Sequence, residues 1–274
     1  MIGYRIKEIN GFKWRVVHNC LIPFDLEMPK KMSQFKGVIY TIKTSTFLIR
    51  WESKTSQLDA EWWRVIYSGK YSIDLLKKKV RYEIRRGLKS YFYKKVTKNE
   101  IINSGYEVYK SSYSRYETHE KMINKDNFIK EIKAMPDDIE FRALYDIETK
   151  SMVAFVENIA QFPNCFMSTM WLDPTALKNN AGYVFFHEIL DEYINKRLYL
   201  SLSDGTRNIN HDTGIHDFLR TKYNFQNLPL KLNVSYHPFL YPVVKILFFL
   251  RGLFPKNSRV SSLLKLEQFS KKKS

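Results

Sequence analysis

Three consecutive strand-like segments constrain the fold of this chain more than any other feature. They cover residues 139–147, 152–160 and 164–172, and the polar sequence ETKS joins the first two. These first two segments alternate apolar and polar residues, which predicts strands with one buried face, and their short connection predicts a hairpin. The chain is therefore expected to contain a meander of three strands.

Predicted helices flank this meander. Thr97 and Glu100 stand at capping-box spacing and predict a helix start. The other elements predicted beyond residue 97 are a helix over 124–135, a helix over 183–197, a strand over 198–203, a helix over 215–225 and a strand over 230–237. Elements in this order can bury their apolar faces in a mixed central sheet flanked by helices, so we expect an α/β fold.

The first 96 residues carry fewer strand signals. Residues 37–51 predict one or two strands, and residues 62–67 and 90–96 predict one each. Between them, Ser72 predicts the cap of a helix that Gly87 ends. We therefore expect a small N-terminal lobe over residues 1–96, a larger domain over 97–237, and an amphipathic basic tail over 238–274.

Positive charge is concentrated in one helix. Seven of the thirteen residues in 77–89 are Lys or Arg, and the whole chain has a net charge of +17. Such a cluster attracts nucleotides, RNA or acidic lipids. A solvated helix face, in a chain whose composition has drifted toward lysine, is the alternative interpretation.

Several functional classes are not indicated by the sequence. Cys20 and Cys165 fit neither a metal-ligand spacing nor a disulfide framework, so we expect no metal site and a reducing, cytoplasmic setting. The N-terminus lacks the apolar core of a signal peptide, and no run of eighteen apolar residues predicts a spanning helix. Walker, Rossmann and G-x-S-x-G motifs are absent from the sequence.

The predicted order of elements resembles that of the GNAT acyltransferase superfamily. The basic stretch RYEIRRGLK, the helix GYEVYKSSYSRY, the strand MVAFVENIA and the segment SDGTR to HDTGIHDFLRTKYNF are similar to its FemAB-like branch, which acylates amines of sugars or peptides. That branch has two related lobes, so the resemblance implies that residues 1–96 are a reduced or degenerate first lobe.

The same resemblance implies a reaction. An acyl group would pass from acyl-CoA, with acetyl-CoA the first candidate, or from aminoacyl-tRNA to an amine of an amino sugar or peptide in a cell-envelope or surface-glycan precursor. In the superfamily, the loop before the cofactor-facing helix binds the pyrophosphate of coenzyme A. The matching positions here are Lys178, Asn179, Asn180 and Gly182, in a loop with a single glycine.

Catalytic candidates lie in the densest polar cluster, which follows a short predicted strand. His211 is a candidate base, Asp204 is a candidate to orient it or to bind the amine, and Tyr223 is a candidate acid. Arg207 is a candidate ligand of a phosphate or carboxylate. The alternative is that Asp204 forms a turn and that its neighbours cap the next helix.

Two further features predict anionic partners. Arg85, Arg86 and Lys89 lie near the C-terminal end of the basic helix and could grip a phosphate of a nucleotide-linked or lipid-linked glycan, or of tRNA. Residues 239–274 join an interrupted apolar stretch to terminal lysines, which predicts either peripheral membrane contact or a helix packed on the first lobe.

The competing hypothesis for the whole chain is a non-catalytic GNAT-shaped module that binds RNA or an anionic glycan.

Overall fold

The computed structural model describes residues 4–27, 29, 31–114, 121–209, 214–255 and 258–271. The strands are β1 (Arg5–Ile9), β2 (Phe12–Val17), β3 (Cys20–Pro23), β4 (Leu48–Lys54), β5 (Trp63–Ser68), β6 (Tyr91–Val96), β7 (Ile139–Asp146), β8 (Met152–Gln161), β9 (Asn164–Leu172), β10 (Ser201–Thr206) and β11 (Gln226–Tyr236). The α-helices are α1 (Gln34–Thr44), α2 (Lys78–Gly87), α3 (Lys98–Tyr113), α4 (Lys125–Ala134), α5 (Pro174–Lys178), α6 (Ala181–Leu190), α7 (Gly214–Tyr223), α8 (Leu240–Phe249) and α9 (Arg259–Lys271).

Contacts divide the chain into two units that are not continuous in sequence. The larger unit contains Val65–Gly205 and Gly214–Gln226, and the smaller contains Tyr4–Arg64, Thr206–Thr213 and Asn227–Ser274. The last strand and the C-terminal helices thus join the N-terminal strands. The domain boundaries after residues 96 and 237 stay predictions, since the contact units divide the chain elsewhere.

The larger unit is built on a mixed sheet. Its strands run in the order β5-β10-β9-β8-β7-β6. The segment from β6 to β9 is antiparallel throughout and contains the predicted meander, whereas β9 and β10 are parallel. The α/β class and the mixed sheet flanked by helices are confirmed.

Helices cover both faces of this sheet. On one face, Tyr109 of α3 contacts Trp171 at a ring-centroid distance of 4.8 Å, and Phe128 of α4 contacts Phe155. On the other face, Phe185 of α6 contacts Tyr93 of β6. The predicted capping box of α3 is present, with Thr97 and Glu100 bonded reciprocally, so the start of this helix is fixed by local hydrogen bonds.

The strands of the smaller unit run in the order β1-β2-β3-β4-β11, with parallel and antiparallel pairs. Its helix α1 corrects the prediction of a strand at the start of residues 37–51. Ser33 caps α1 through Lys36 N, and a Cβ on Gly37 would lie 2.3 Å from Ser235 Oγ of β11. The β-branched residues favoured a strand, but the cap and this close packing stabilise a helix, a case of tertiary context overriding propensity.

Two other segments refine the sequence interpretation. Residues 173–182, predicted to be a loop, contain the short helix α5. The predicted helix over 183–197 begins earlier, as α6, and ends in a π-helical turn over Asp191–Lys196. Among the residues that the structure describes, no helix combines the length and the apolar character needed to cross a bilayer.

Candidate active site

Strands β9 and β10 pair only along their first residues. Their register consists of three pairs: Asn164–Ser201, Cys165–Leu202 and Phe166–Ser203. Strand β9 nevertheless continues to Leu172, and β10 continues to Thr206. The two parallel strands therefore separate toward their carboxyl ends, where open α/β sheets bind their ligands.

A β-bulge on β9 lies at the level of this separation. Glu157 of β8 pairs with Thr169, and Asn158 pairs with Met167, so Ser168 is an extra residue on β9. Residues 168–170 are half-buried, although the strand residues on either side are buried. Bulges bend a strand and re-aim its side chains. The centre of the sheet thus becomes accessible where pairing with β10 ends.

A buried Asp–His pair stands at the same place. Asp204 directly follows Ser203, the last paired residue of β10, and its Oδ2 lies 3.2 Å from His216 Nε2 of α7. The side chains are 11% and 3% exposed. Burial raises the pKa of Asp204, and the hydrogen bond and charge of His216 oppose this rise without cancelling it. A carboxylate with a raised pKa is a better proton acceptor than an ordinary aspartate.

The backbone around Asp204 is tightly fixed. Ser203 Oγ donates to Val65 O of β5 at 2.7 Å and accepts from Gly205 N at 3.0 Å. Gly205 has a φ of 88°, and a Cβ there would lie 3.1 Å from Phe166 Cε2. Only glycine adopts this conformation readily at a position with so little space. The position of Asp204 is thus set by the fold.

Two buried polar residues flank the bulge from β8. Glu157 and Asn158 are both fully buried. Register partners share a face, so Glu157 lies on the face of Phe141 and Thr169, which α3 and α4 cover, and Asn158 lies on the opposite face. Both amide atoms of Asn158 lack a hydrogen-bond partner within the described ranges. An unsatisfied buried amide costs about 1–3 kcal/mol, so Asn158 is a candidate ligand-binding group.

The loop predicted to bind coenzyme A does not present an open phosphate cradle. Asp173 Oδ1 accepts from the N–H groups of Thr175 at 2.8 Å and Ala176 at 3.0 Å, and its carbonyl accepts from Leu177 N. The N–H groups of Asn179 and Asn180 are bonded to carbonyls within the same segment. These donors are therefore already used, and a carboxylate stands at the start of α5.

The first turn of α6 is also closed. Ala181 is 0% exposed, and Asn180 is buried with a φ of 71° and no side-chain cap bond. Gly182 is buried, whereas Lys178 and Asn179 are exposed. A pyrophosphate needs several free backbone N–H donors, so the residues present do not fit the pyrophosphate of coenzyme A. Their assignment as a cofactor loop stays a prediction.

The basic helix packs directly on this turn. A Cβ on Gly87 of α2 would lie 2.5 Å from Val184 Cγ2 and 3.2 Å from Asn180 O. The end of α2 and the start of α6 are therefore in close contact. The structure thus brings together two stretches that the sequence assigned to anion binding. Arg85, Arg86 and Lys89 are exposed beside this contact.

Other predicted site residues have structural partners or cannot be placed. Tyr223 is 0% exposed, and its hydroxyl donates to Tyr183 O. This geometry opposes the predicted acid role, because no substrate oxygen can reach the hydroxyl. Arg207 belongs to the smaller unit, where it donates to Glu61 O at 2.7 Å and stacks over Phe269; its packing opposes the predicted anion-binding role. His211 lies outside the described residues.

Metal ligands do not gather in the described ranges. No three His, Cys, Asp or Glu side chains there form a group that could hold a metal ion. Cys165 is buried in the sheet, where burial raises the pKa of its thiol well above the ordinary value. A buried thiol of this kind is chemically inert.

Comparison with solved structures finds similar folds, among them three that overlap most of this chain. The C-terminal domain of a protein from Agrobacterium fabrum described as a lysylphosphatidylglycerol synthetase has a TM-score of 0.57 and 11% identity, over 89% of this chain and 87% of that one. A structure of L-PGS from Bacillus licheniformis has a TM-score of 0.52 and 12% identity, over 89% and 88%. FemX has a TM-score of 0.54 and 7% identity, over 89% and 85%.

The chain shares its fold with FemX and with these two synthetase structures. These similarities cover most of each chain, so the resemblance inferred from element order is confirmed at the level of fold. No protein-family model and no curated protein sequence matches the chain. The FemAB-like fold therefore rests on structure, and the reaction has to be argued from the site.

The FemAB-like sheet also shows which site residues were missed from the sequence. Glu157 and Asn158 were interpreted only as part of the strand MVAFVENIA. Their signal was a charged residue and an amide in the middle of an apolar strand. Burying such groups costs free energy unless they form hydrogen bonds or ion pairs. The bulge at Ser168 had no sequence signal, because it depends on the register with β8.

Proposed function

We propose that the chain is an aminoacyltransferase that moves an aminoacyl group from tRNA to an amine of a cell-envelope or surface-glycan precursor. The observation that carries this proposal is the junction of α2 with α6. The N–H groups of Asn179 and Asn180 are already bonded to carbonyls there, but cationic side chains stand exposed beside it. The site therefore favours a large polyanionic donor over coenzyme A.

The cationic face of α2 suits the phosphates of RNA. Its exposed Lys and Arg residues are Lys77, Lys78, Lys79, Arg85, Arg86 and Lys89. The acidic residues nearby are Asp74, which lies 3.7 Å from Arg81, and the half-buried Glu83. Exposed side chains on one helix can contact successive phosphates without backbone donors, and most of the affinity would then be electrostatic.

The similar structures support an aminoacyl donor. The name lysylphosphatidylglycerol synthetase describes a product that joins a lysyl group to a lipid. FemX shares the fold over most of its length, and the FemAB resemblance implies aminoacyl-tRNA as donor. A transferase of this kind needs to hold the aminoacyl ester of the tRNA. It also needs to accept one proton from the attacking amine and return it to the leaving oxygen.

Asp204 is placed to accept that proton. The acceptor nitrogen attacks the ester carbonyl, a C–N bond forms, and the C–O bond to the tRNA hydroxyl breaks. The proton lost by the nitrogen passes to Asp204 and then to the leaving oxygen. His216, 3.2 Å away, acts as the positioning residue by holding the carboxylate in one orientation.

The donor proposal is tested by tRNA binding at several salt concentrations. In the variant Arg85→Gln/Arg86→Gln/Lys89→Gln, we expect affinity to fall about tenfold or more and the salt slope to decrease by about one to three phosphate contacts. The matched control is Lys125→Gln/Lys130→Gln/Lys133→Gln, which removes the same charge from exposed positions of α4 in the same unit. It should change affinity by less than about threefold.

The reaction is tested by following a radiolabelled aminoacyl group from a charged tRNA pool into cell-envelope precursors. Asp204→Asn should reduce transfer by about a hundredfold or more while tRNA binding is retained. Transfer from acetyl-CoA that is indifferent to the α2 substitutions would contradict the donor. Binding of tRNA with no product in any extract would instead favour the non-catalytic binding module.

A further inference from the structure

Helix α8 and the turn that follows it carry an apolar stripe that is exposed in the part of the chain that the structure describes. The stripe consists of Phe239, Val243, Ile246, Phe249, Leu250 and Leu253, all of them exposed. Phe239 and Phe249 are 84% and 83% exposed. Spacings of three and four residues place these side chains on one face of a helix. The stripe is therefore a continuous surface.

The opposite face of α8 fixes its orientation. Val244 is fully buried and belongs to a core cluster with Leu232, Val234 and Tyr236 of β11 and Leu266 of α9. Because this inner face is held by the sheet and by α9, the stripe cannot turn inward without breaking that core. The outward apolar face is thus a property of the fold.

The charge around the stripe has one sign. Residues 238–274 contain eight Lys or Arg residues and a single acidic residue, Glu267. That carboxylate is buried and lies 3.1 Å from Lys245 Nζ and 2.9 Å from Lys271 Nζ. Burial alone would raise the pKa of Glu267, but the hydrogen bonds from Lys271, Tyr236 and Lys245 lower it. Its charge is therefore neutralised inside the unit.

Cations stand at the end of the stripe. Arg251 and Arg259 are exposed, and Arg251 extends over the Phe248 ring while donating to Phe248 O. A surface of aromatic and aliphatic side chains beside cations, with its acid neutralised, is complementary to the acyl boundary and phosphates of an anionic bilayer. Within the described part of residues 238–274, the segment contributes no unneutralised carboxylate that could attract a basic protein partner.

We propose that α8 and its following turn dock on the surface of an anionic lipid bilayer. Ten residues of helix extend only about 15 Å, half of the hydrocarbon thickness, so α8 would lie in the interface rather than cross it. The exposed rings insert at the acyl boundary, and Arg251 and Arg259 contact lipid phosphates. This docking is independent of the proposed reaction and holds whether or not the chain catalyses transfer.

The proposal is tested by flotation of the full chain with vesicles of phosphatidylcholine alone or with about one-third phosphatidylglycerol. Wild type should float with the anionic vesicles and bind neutral ones at least about tenfold more weakly. The variant Ile246→Glu/Phe249→Glu/Leu253→Glu should lose binding by about a hundredfold, because each added carboxylate opposes both insertion and the anionic surface.

A matched control separates docking from a general effect of charge. Leu58→Glu/Phe162→Glu/Leu200→Glu adds the same three charges at exposed apolar positions elsewhere and should bind as wild type within about threefold. All variants should keep the wild-type circular dichroism and melting temperature, since the substituted side chains are exposed. Equal loss in the control would overturn the proposal.

Two other results would also overturn it. One is wild-type protein that stays with the aqueous fraction at low salt in both vesicle types. The other is a concentration-dependent dimer, seen by sedimentation, that the α8 variant abolishes without any vesicle binding. That outcome would assign the stripe to a second copy of the chain.

Discussion

Two groups of buried charges lie in the larger unit, and they are built in opposite ways. The first, the Arg142 network, joins β7 to the π-helical turn after α6. Arg142 donates through Nε to both oxygens of Glu192, at 2.8 and 3.0 Å, and through Nη2 to Glu140 at 2.9 Å. Arg197 donates to Glu140 at 2.9 Å, and Tyr93 donates to Glu192 at 2.6 Å. Two cations balance two anions.

The second group is the Asp204–His216 pair, where β9 and β10 separate. It consists of one contact of 3.2 Å between a carboxylate and an imidazole. The pair joins a strand to α7, and it stands at the point where the sheet opens. The Arg142 network instead lies where β7 is paired on both sides, with β6 and β8. Position in the sheet therefore separates a structural cluster from a candidate catalytic one.

The two groups respond to pH with opposite signs. Burial would raise the pKa of Glu140 and Glu192, but hydrogen bonds from Arg197 and Tyr193 to Glu140, and from Arg142 and Tyr93 to Glu192, lower both values. Their stabilisation is present above the ordinary Glu pKa and is lost as pH falls. The pKa of Asp204 is raised, so its contribution is present at low pH and lost as pH rises.

The largest expected effect comes from breaking the network. Arg142→Leu leaves the half-buried Glu192 without its main cation, and we expect this loss to cost about 2–4 kcal/mol, at the lower end of the range for buried pairs. We expect the free energy of unfolding, measured by urea denaturation, to fall by this amount. The side chains of Glu192 and Glu140 are 20% and 23% exposed, so water can replace only part of the lost hydrogen bonds.

A double substitution tests whether the network acts through charge. Arg142→Leu/Glu192→Leu removes both partners, and replacing a buried pair by apolar residues is often close to neutral. The double variant should therefore be more stable than Arg142→Leu alone. A double variant less stable than either single one would show that packing and the hydrogen bond from Tyr93, rather than charge compensation, dominate.

The comparison also shows what the sequence could predict. The meander, α3 and its capping box follow from local patterns, and they are present as expected. The Arg142 network joins residues about fifty positions apart, and its pairing depends on how α6 packs on the sheet. Sequence spacing carries no information about such a contact.

The same limit applied to the candidate site. Asp204 is a candidate from a polar cluster after a strand, but its structural partner is His216, to which the sequence assigned no role. Tyr223 was a candidate because it is polar and near the cluster, yet helical phase turns it into the core. The strand prediction over α1 is wrong because three of its buried residues, Tyr40, Thr41 and Thr44, are aromatic or β-branched and so also strand formers. Its helical spacing was the stronger signal.

An intermediate effect is expected from the pH dependence of Asp204→Asn. Because ionisation of the buried carboxyl opposes folding, the variant should gain stability relative to wild type as pH rises from about 3 to neutrality, through the ordinary pKa of aspartate. The measurement is urea unfolding of both proteins across that range. Asp191→Asn is the control of opposite sign. Burial alone would raise the pKa of Asp191, but hydrogen bonds from Lys196 and Asn195 lower it, so this variant should lose stability relative to wild type as pH rises.

A difference between wild type and Asp204→Asn that does not change with pH would remove the titratable role of Asp204. The Asp204–His216 pair would then have a structural role, as the Arg142 network has. Loss of transfer activity with this flat profile would leave Asp204 as a substrate ligand instead of a proton acceptor.

The smallest effect is expected at Tyr223. This residue lies near the candidate site, but its hydroxyl is buried and hydrogen-bonded, as the side chain of Arg142 is. Burial raises the pKa of its hydroxyl well above the ordinary value, and the group donates to Tyr183 O. Tyr223→Phe should cost about 1 kcal/mol in unfolding free energy, the worth of one buried hydrogen bond, and leave aminoacyl transfer within about twofold. Tyr82→Phe, at a residue that is 61% exposed, should change neither quantity. If Tyr223→Phe instead abolished transfer in a protein with unchanged stability, the hydroxyl would be a proton donor, and the distinction between structural and catalytic groups by burial would fail at this residue.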